Sequence, residues 1–246
     1  TGQHPWVHGV IHNHYDISTD LKCLAHYFDE AGYETCYIGK SHWNKMGRPG
    51  FIPPEYRLGW KEWHGFNNGH YHFDSPDFDE QGNLTHRHKG RFEPDVQVEK
   101  AKTFLQKKGN HPWLMQVNIP TPHPATIKEA LARPETRQRM RDARDRYGFR
   151  VGDYDIFDMN RPDLEATFPQ QFVDKLLPDG YLEQYPPESL KLEPNIPDSV
   201  LNRAPFVMQE YYAMTTCTDE YIGRLLSLLE EFGLRKDTIV IYTSDH

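Results

Sequence analysis

Residues Lys236–His246 read K-D-T-I-V-I-Y-T-S-D-H. From Thr238 to Thr243 every side chain is β-branched or aromatic, and a charged turn stands before them. A run of that kind, free of Gly and Pro, predicts a strand buried on both faces, as in a parallel sheet. Ser244, Asp245 and His246 follow, placing a hydroxyl, a carboxylate and an imidazole at the strand's carboxyl end. Ligands of open α/β sheets sit at that edge, and Asp245 with His246 suits a metal ion there. An Asp after a strand is also a common cap for a following helix. Taken alone, the pair reads as a cap before it reads as a ligand set.

The same unit recurs upstream. Met214, Cys217, Tyr221, Leu225, Leu228 and Phe232 line one face of a long helix starting near Pro205 and closed by Gly233. Val96, Val98, Ala101, Phe104 and Leu105 mark a second amphipathic helix, with Asp95 in its first turn and Gly109 at its end. A buried strand, W-L-M-Q-V-N-I at Trp113–Ile119, comes next, and P-T-P-H-P then puts His123 at its carboxyl end. Leu21, Leu24, Ala25 and Phe28 keep helical spacing before Gly32, a short strand spans Thr35–Ile38, and Gly39-Lys40-Ser41-His42-Trp43 follows. Right-handed crossovers between parallel strands bring all three strand ends to one edge of one sheet. The pattern predicts an α/β protein whose parallel strands share one sheet. Residues 1–246 then form a single, incomplete domain in which 51–91 and 124–204 are long loop regions. Within these, Glu129–Arg150 reads as a charged, solvated helix and 152–198 as a surface wrap; residues 1–10 read as a loop.

Composition narrows the function classes. The 246 residues carry a formal charge of −8, with 37% hydrophobic and 13% aromatic content. An acidic chain opposes nucleic acid as the main partner, since phosphate binding wants a basic face. No stretch of eighteen apolar residues exists to span a membrane. Cys23, Cys36 and Cys217 lack metal-ligand spacing and lie in apolar stretches, which reads as buried thiols. The chain opens on Thr1 without a signal-peptide pattern and stops at His246, which reads as a piece of a longer protein.

Lys40 and His42 stand two residues apart at a strand end. An ammonium and an imidazole so placed suit an oxyanion such as sulfate or phosphate, and the imidazole can protonate a leaving oxygen; a Lys-x-His pair is equally an ordinary surface feature. His123 between prolines is ordinary turn chemistry as much as a held side chain. The H-x-H triplets at 12–14, 70–72 and 86–88 also suit zinc or two-metal hydrolases. The latter two lie in loops with no strand before them, which favours chance triplets in a His-rich surface.

Several stretches, in order, resemble the type I sulfatases of the alkaline phosphatase superfamily. Thr1-Gly2 resembles the tail of the signature C-x-P-S-R-x-x-L-x-T-G, with His8-Gly9-Val10 after it. Residues Gly32–His42, G-Y-E-T-C-Y-I-G-K-S-H, resemble the second signature, G-Y-x-T-x-x-x-G-K-x-H. Asn118–Pro124 resembles the segment carrying the family's substrate-facing His, and Tyr211–His246 the family's final helix–strand–metal unit. The resemblance implies an alkaline phosphatase-like fold, a three-layer sandwich around a mixed, mostly parallel central sheet, and hydrolysis of sulfate monoesters on a small molecule or carbohydrate. It implies that Asp245 and His246 bind a divalent cation, usually calcium. It implies too that Lys40 contacts the ester oxygens and that His42 and His123 position the sulfate and assist the leaving group. The nucleophile it implies is a formylglycine, made from a Cys or Ser roughly nine residues before Thr1; a second Lys lies beyond His246. None of the three cysteines stands in C-x-P-S-R. Ser41-His42-Trp43 departs from the family, which more often has Trp before the His, and this bears on substrate specificity. Two other readings share the fold: a phosphodiesterase or phosphonate monoester hydrolase, and a binding domain without catalysis.

Overall fold

A computed structural model describes residues 1–12, 15–43, 50–67, 71–73, 75–88, 90–123, 177–198, 201 and 204–244. Glu34–Ser41 (β1) is the middle strand of a three-stranded sheet, between Glu62–Asn67 (β2) and Trp113–Asn118 (β5), and both ladders are parallel. Pro76–Phe78 (β3) and Leu84–Arg87 (β4) form a separate antiparallel pair. The helices are Pro5–His8 (α1), Leu24–Glu30 (α2), Glu93–Lys107 (α3) and Ala204–Glu231 (α4).

Alternation along β1 sends its side chains to two different layers. Cys36 and Ile38 pack with Ala101, Phe104 and Leu105 of α3 and with Leu228 and Leu229 of α4. Tyr37 packs on the other side with Ala25 of α2 and with Trp60, beside Trp43, Trp63 and Leu114. Helix, sheet and helix pair are thus three layers, and β1 is buried from Thr35 to Gly39. Full burial of a side chain the size of Ile38 or Phe104 contributes about 1.5–3 kcal/mol, so β1 is a main source of stability. A third cluster joins Phe92 to Ala213, Met214, Cys217 and Tyr221 of α4, with Leu177 and Tyr181 of the 177–198 segment laid against them.

The helix ends follow from local chemistry. In α2 the Gly32 amide donates to the Asp29 carbonyl and Tyr33 to Phe28; in α4 Gly233 donates to Glu230 and Leu234 to Leu229. Both are Schellman closures, which need a left-handed residue, and the glycines supply it with φ of 82° and 66°.

Three expectations need correction. Residues 1–10 contain α1, because Pro5 starts a helical turn at no hydrogen-bond cost and Gly9 closes it at φ 80°. The 51–91 region contains β2, β3 and β4 rather than loop alone. The third correction concerns Thr238–Thr243, which joins no ladder among the described residues. Ile239, Ile241 and Tyr242 are 89%, 83% and 74% exposed. Strand-forming residues do not make a buried strand without a neighbouring backbone to bond, and among the described residues this run has none. The calls on 124–176, including the charged helix at Glu129–Arg150, lie outside the described residues.

At the carboxyl edge of the sheet, polar groups are buried. Gln97 of α3 donates through Nε2 to the Asn118 carbonyl (2.8 Å) and to Glu93 Oε1 (3.2 Å). Glu93 and Gln97 are nearly inaccessible, and Glu93 Oε2 and Gln97 Oε1 have no hydrogen-bond partner among the described residues. Burial pushes the Glu93 carboxyl up to about 7, with Lys100 pulling against it and Asp77 adding to it.

Two predictions follow from this joint. Gly39 has φ 100°, and a Cβ there stands 2.5 Å from the Asn118 carbonyl oxygen and 2.7 Å from Gln97 Nε2. Gly39→Ala therefore destabilises the fold by about 2–4 kcal/mol in urea titrations. For Glu93, the folded carboxyl keeps its proton to about 7, whereas the unfolded one releases it near 4.5. Stability from this group is therefore full below pH 4.5 and lost as pH rises to 7. Between pH 5 and pH 8 the wild type loses about 2–3 kcal/mol more than Glu93→Gln; parallel unfolding curves at the two pH values contradict this.

Candidate active site

The second half of β1 ends on a rigid platform. Tyr37, almost fully buried, stacks on Trp63 (ring centroids 4.6 Å apart, 8° between planes) and meets the edges of Trp43 and Trp60 at 5.0 and 5.5 Å. Burial drives its hydroxyl well above the usual phenol range, so it stays a donor. That hydroxyl donates to the Lys40 carbonyl at 2.7 Å. Asn118 Nδ2, at the end of β5, donates to the same carbonyl at 2.8 Å and also bonds the Tyr37 hydroxyl. The Lys40 backbone is held from two sides, and its side chain is half-buried.

Just beyond, Ser41 Oγ donates to the Phe66 carbonyl (3.1 Å) and the Trp43 amide donates to Asn67 Oδ1 (3.2 Å). These bonds lock the turn carrying His42 onto the end of β2; His42 itself is exposed.

The loop after β5 is pinned as firmly. Gln97 holds the Asn118 carbonyl, Thr121 Oγ1 lies 2.6 Å from Thr218 Oγ1 of α4, and buried His72 donates through Nε2 to the His123 carbonyl at 2.8 Å. The His72 carbonyl in turn accepts from the Glu93 amide at 2.6 Å. His123 is exposed above this frame. β1 runs on through Lys40 to Ser41 rather than ending at Ile38. Because β1 and β5 run parallel with Gly39 opposite Asn118, Lys40 near the end of β1, His42 just after it and His123 after β5 fall at the same edge. Asp245 and His246 lie outside the described residues.

Sequence reading missed Tyr37, Asn118, Gln97 and Glu93, whose contribution is to backbone placement. The H-x-H signal did touch one member of the frame, His72, but for the wrong reason. His72 holds a carbonyl, and His88 Nε2 lies 2.7 Å from Asp77 Oδ2, next to the Lys100–Asp77 pair at 2.6 Å. Among the described residues the one group of three His, Cys, Asp or Glu side chains close enough to share a cation is Cys36, Glu62 and His64. All three cysteines are buried and unbridged. Burial raises the thiols of Cys36 and Cys217, the latter to about 12, which is no condition for a nucleophile.

A family model described as Sulfatase matches residues 1–246. The ulvan-active sulfatase of Formosa agariphila is 30% identical over 248 residues; the match takes in 100% of this chain and 39% of that protein, so the chain spans about two fifths of its relative's length. A solved structure from work on glycosaminoglycan metabolism by Bacteroides thetaiotaomicron has a TM-score of 0.63 and 20% identity, over 95% of this chain and 44% of that one. Another, solved in complex with its substrate D-glucosamine-2-N,6-O-disulfate, has a TM-score of 0.57 and 19% identity, over 97% and 52%. At such identities these structures establish a shared fold, the alkaline phosphatase-like α/β sandwich that the sequence resemblance implies. With the family model matched from the first residue to the last, this chain belongs to the sulfatase family.

Proposed function

We propose that this chain carries the sulfate-gripping part of an enzyme that hydrolyses sulfate monoesters on a carbohydrate. The observation behind this reading is the shared sheet edge. The G-K-S-H stretch that closes β1 and the P-T-P-H loop that follows β5 stand on adjacent, parallel strands, tied to each other through Asn118. The chain also belongs to a family named for that reaction. The carbohydrate class comes from the relatives, one ulvan-active and one bound to a disulfated glucosamine.

In this mechanism the Lys40 ammonium contacts nonbridging sulfate oxygens, where negative charge concentrates as the ester bond breaks. His42 and His123 orient the sulfate, and one of them gives its proton to the departing sugar oxygen as the S–O bond opens. Fixing the Lys40 carbonyl and the His123 carbonyl from buried donors limits the backbone freedom of both residues, so less order must be imposed when substrate binds.

Asp245 and His246 would hold the divalent cation that neutralises sulfate charge. A carboxylate and an imidazole fit such an ion, but calcium takes six to eight oxygen ligands, so they form only part of its shell. The nucleophile of this proposal, a formylglycine, comes from a residue outside this chain; the burial of Cys23, Cys36 and Cys217 supports that placement.

The test uses the whole protein and sulfated monosaccharides. Lys40→Ala lowers kcat/KM by about 100- to 1000-fold, and His123→Ala by about 100-fold or more. Wild-type turnover of the matching phosphate esters is far slower. Either variant within threefold of wild type, or equal turnover of phosphate, rejects this assignment.

A further inference from the structure

On the face of β1 turned to α3, away from the sheet edge, three chemically different donors meet. Glu62 of β2 stands opposite Cys36 in the parallel ladder, and His64 stands opposite Ile38, two residues along. Residues two apart on a strand share a face. The Cys36 sulfur, a Glu62 oxygen and a His64 ring nitrogen all lie within 4.8 Å of one another, with His64 Nε2 2.8 Å from Glu62 Oε1. Cys36 is inaccessible and packs with Ala101, Phe104 and Leu105. The His64 and Glu62 side chains keep 26% and 29% exposure, so the group opens to solvent on one side.

We propose that Cys36, Glu62 and His64 form a site for a borderline-soft divalent cation of the zinc type, separate from the sulfate-ester site. Sulfur, imidazole and carboxylate together are a zinc donor set, and the sulfur disfavours calcium and magnesium, which take oxygen. Bond lengths of 2.0–2.3 Å put neighbouring ligands on tetrahedral zinc about 3.3–3.8 Å apart. The group needs shifts of only a few tenths of an ångström to about one ångström to reach that. All three residues sit on paired strands, which hold them in place.

Charge also favours the ion. One thiolate and one carboxylate cancel a divalent cation, leaving a formally neutral centre beside the apolar α3 face, where a net charge is costly. Binding breaks the Cys36 S–H bond, forms a metal–sulfur bond and releases the proton to solvent. Lys107 Nζ, 3.9 Å from Glu62 Oε1, is 63% exposed and free to swing outward as the ion enters. The fourth position falls to water from the open side. Cys36 and Lys40 stand four positions apart on β1, about 13 Å along the strand.

The experiment titrates the chelator-stripped whole protein with Co2+ and then Zn2+, in the presence of saturating Ca2+. One equivalent of Co2+ gives a thiolate-to-cobalt charge-transfer absorption that Zn2+ removes, Ca2+ leaves alone and Cys36→Ala abolishes. His64→Gln weakens Zn2+ binding by more than about 100-fold, beyond what loss of a supporting partner costs. No band in the wild type, a band that persists in Cys36→Ala, or displacement by Ca2+ overturns the site. Should Cys36→Ala fail to fold by circular dichroism, unchanged Zn2+ affinity in His64→Gln, at a partly exposed position, overturns it equally. The readout does not involve sulfate-ester turnover, so this site and the proposed function fail separately.

Discussion

The hydrogen-bonded triangle of Tyr37, Lys40 and Asn118 is the joint on which the rest of the site hangs. It ties the end of β1 to the end of β5 through side-chain donors, at the level where the backbone ladder between the two strands stops. Each such bond contributes about 0.5–1.5 kcal/mol net, while leaving its buried partner unmade costs about 1–3 kcal/mol. The arrangement is therefore steep: the Lys40 backbone has one well-satisfied position. Trp63, stacked on the Tyr37 ring, keeps the phenol from turning away.

Gln97 and Glu93 extend this joint into α3. A helix whose first turns bury an acid and an amide against a sheet edge gives up apolar contact for hydrogen bonds to the loop above it. Gln97 spends its amide on the Asn118 carbonyl, and the Glu93 amide reaches the His72 carbonyl, whose ring holds His123. From α3 through two intermediate residues, the same helix thus supports both histidine- and lysine-bearing segments. Glu93 Oε2 and Gln97 Oε1, without a hydrogen-bond partner among the described residues, are the cost of that geometry.

The two faces of β1 have separate uses. Tyr37 and its indole neighbours give the α2 side a stiff aromatic layer, while Cys36 and Ile38 give the α3 side an aliphatic one. Glu62 and His64 border the aliphatic side because β2 is paired in register with β1, and a shift by one residue would exchange them with Trp63 and Gly65.

Helix α2 with β1, helix α3 with β5 and the long α4 were legible in the sequence because their signals are local. Apolar spacing and a glycine such as Gly32 or Gly233 specify a helix and its end within a few residues. The places of His42 and His123 after strands were legible for the same reason, whereas Lys40 lies within β1 rather than beyond it. Pairing was not. E-W-H-G-F-N at Glu62–Asn67 has little strand character and becomes β2 because the open edge of β1 offers it a ladder. Conversely, T-I-V-I-Y-T at Thr238–Thr243 has every local mark of a buried strand, yet lies exposed and unpaired among the described residues. His72 under His123, and Asn118 across from Lys40, were equally out of reach, since each acts on a residue distant in the chain or on another strand. The sequence by itself determined which segments favour helix or strand and where each helix stops. Only the tertiary structure decided which strands share hydrogen bonds and which side chains hold the site, because those bonds join residues that propensity treats as independent.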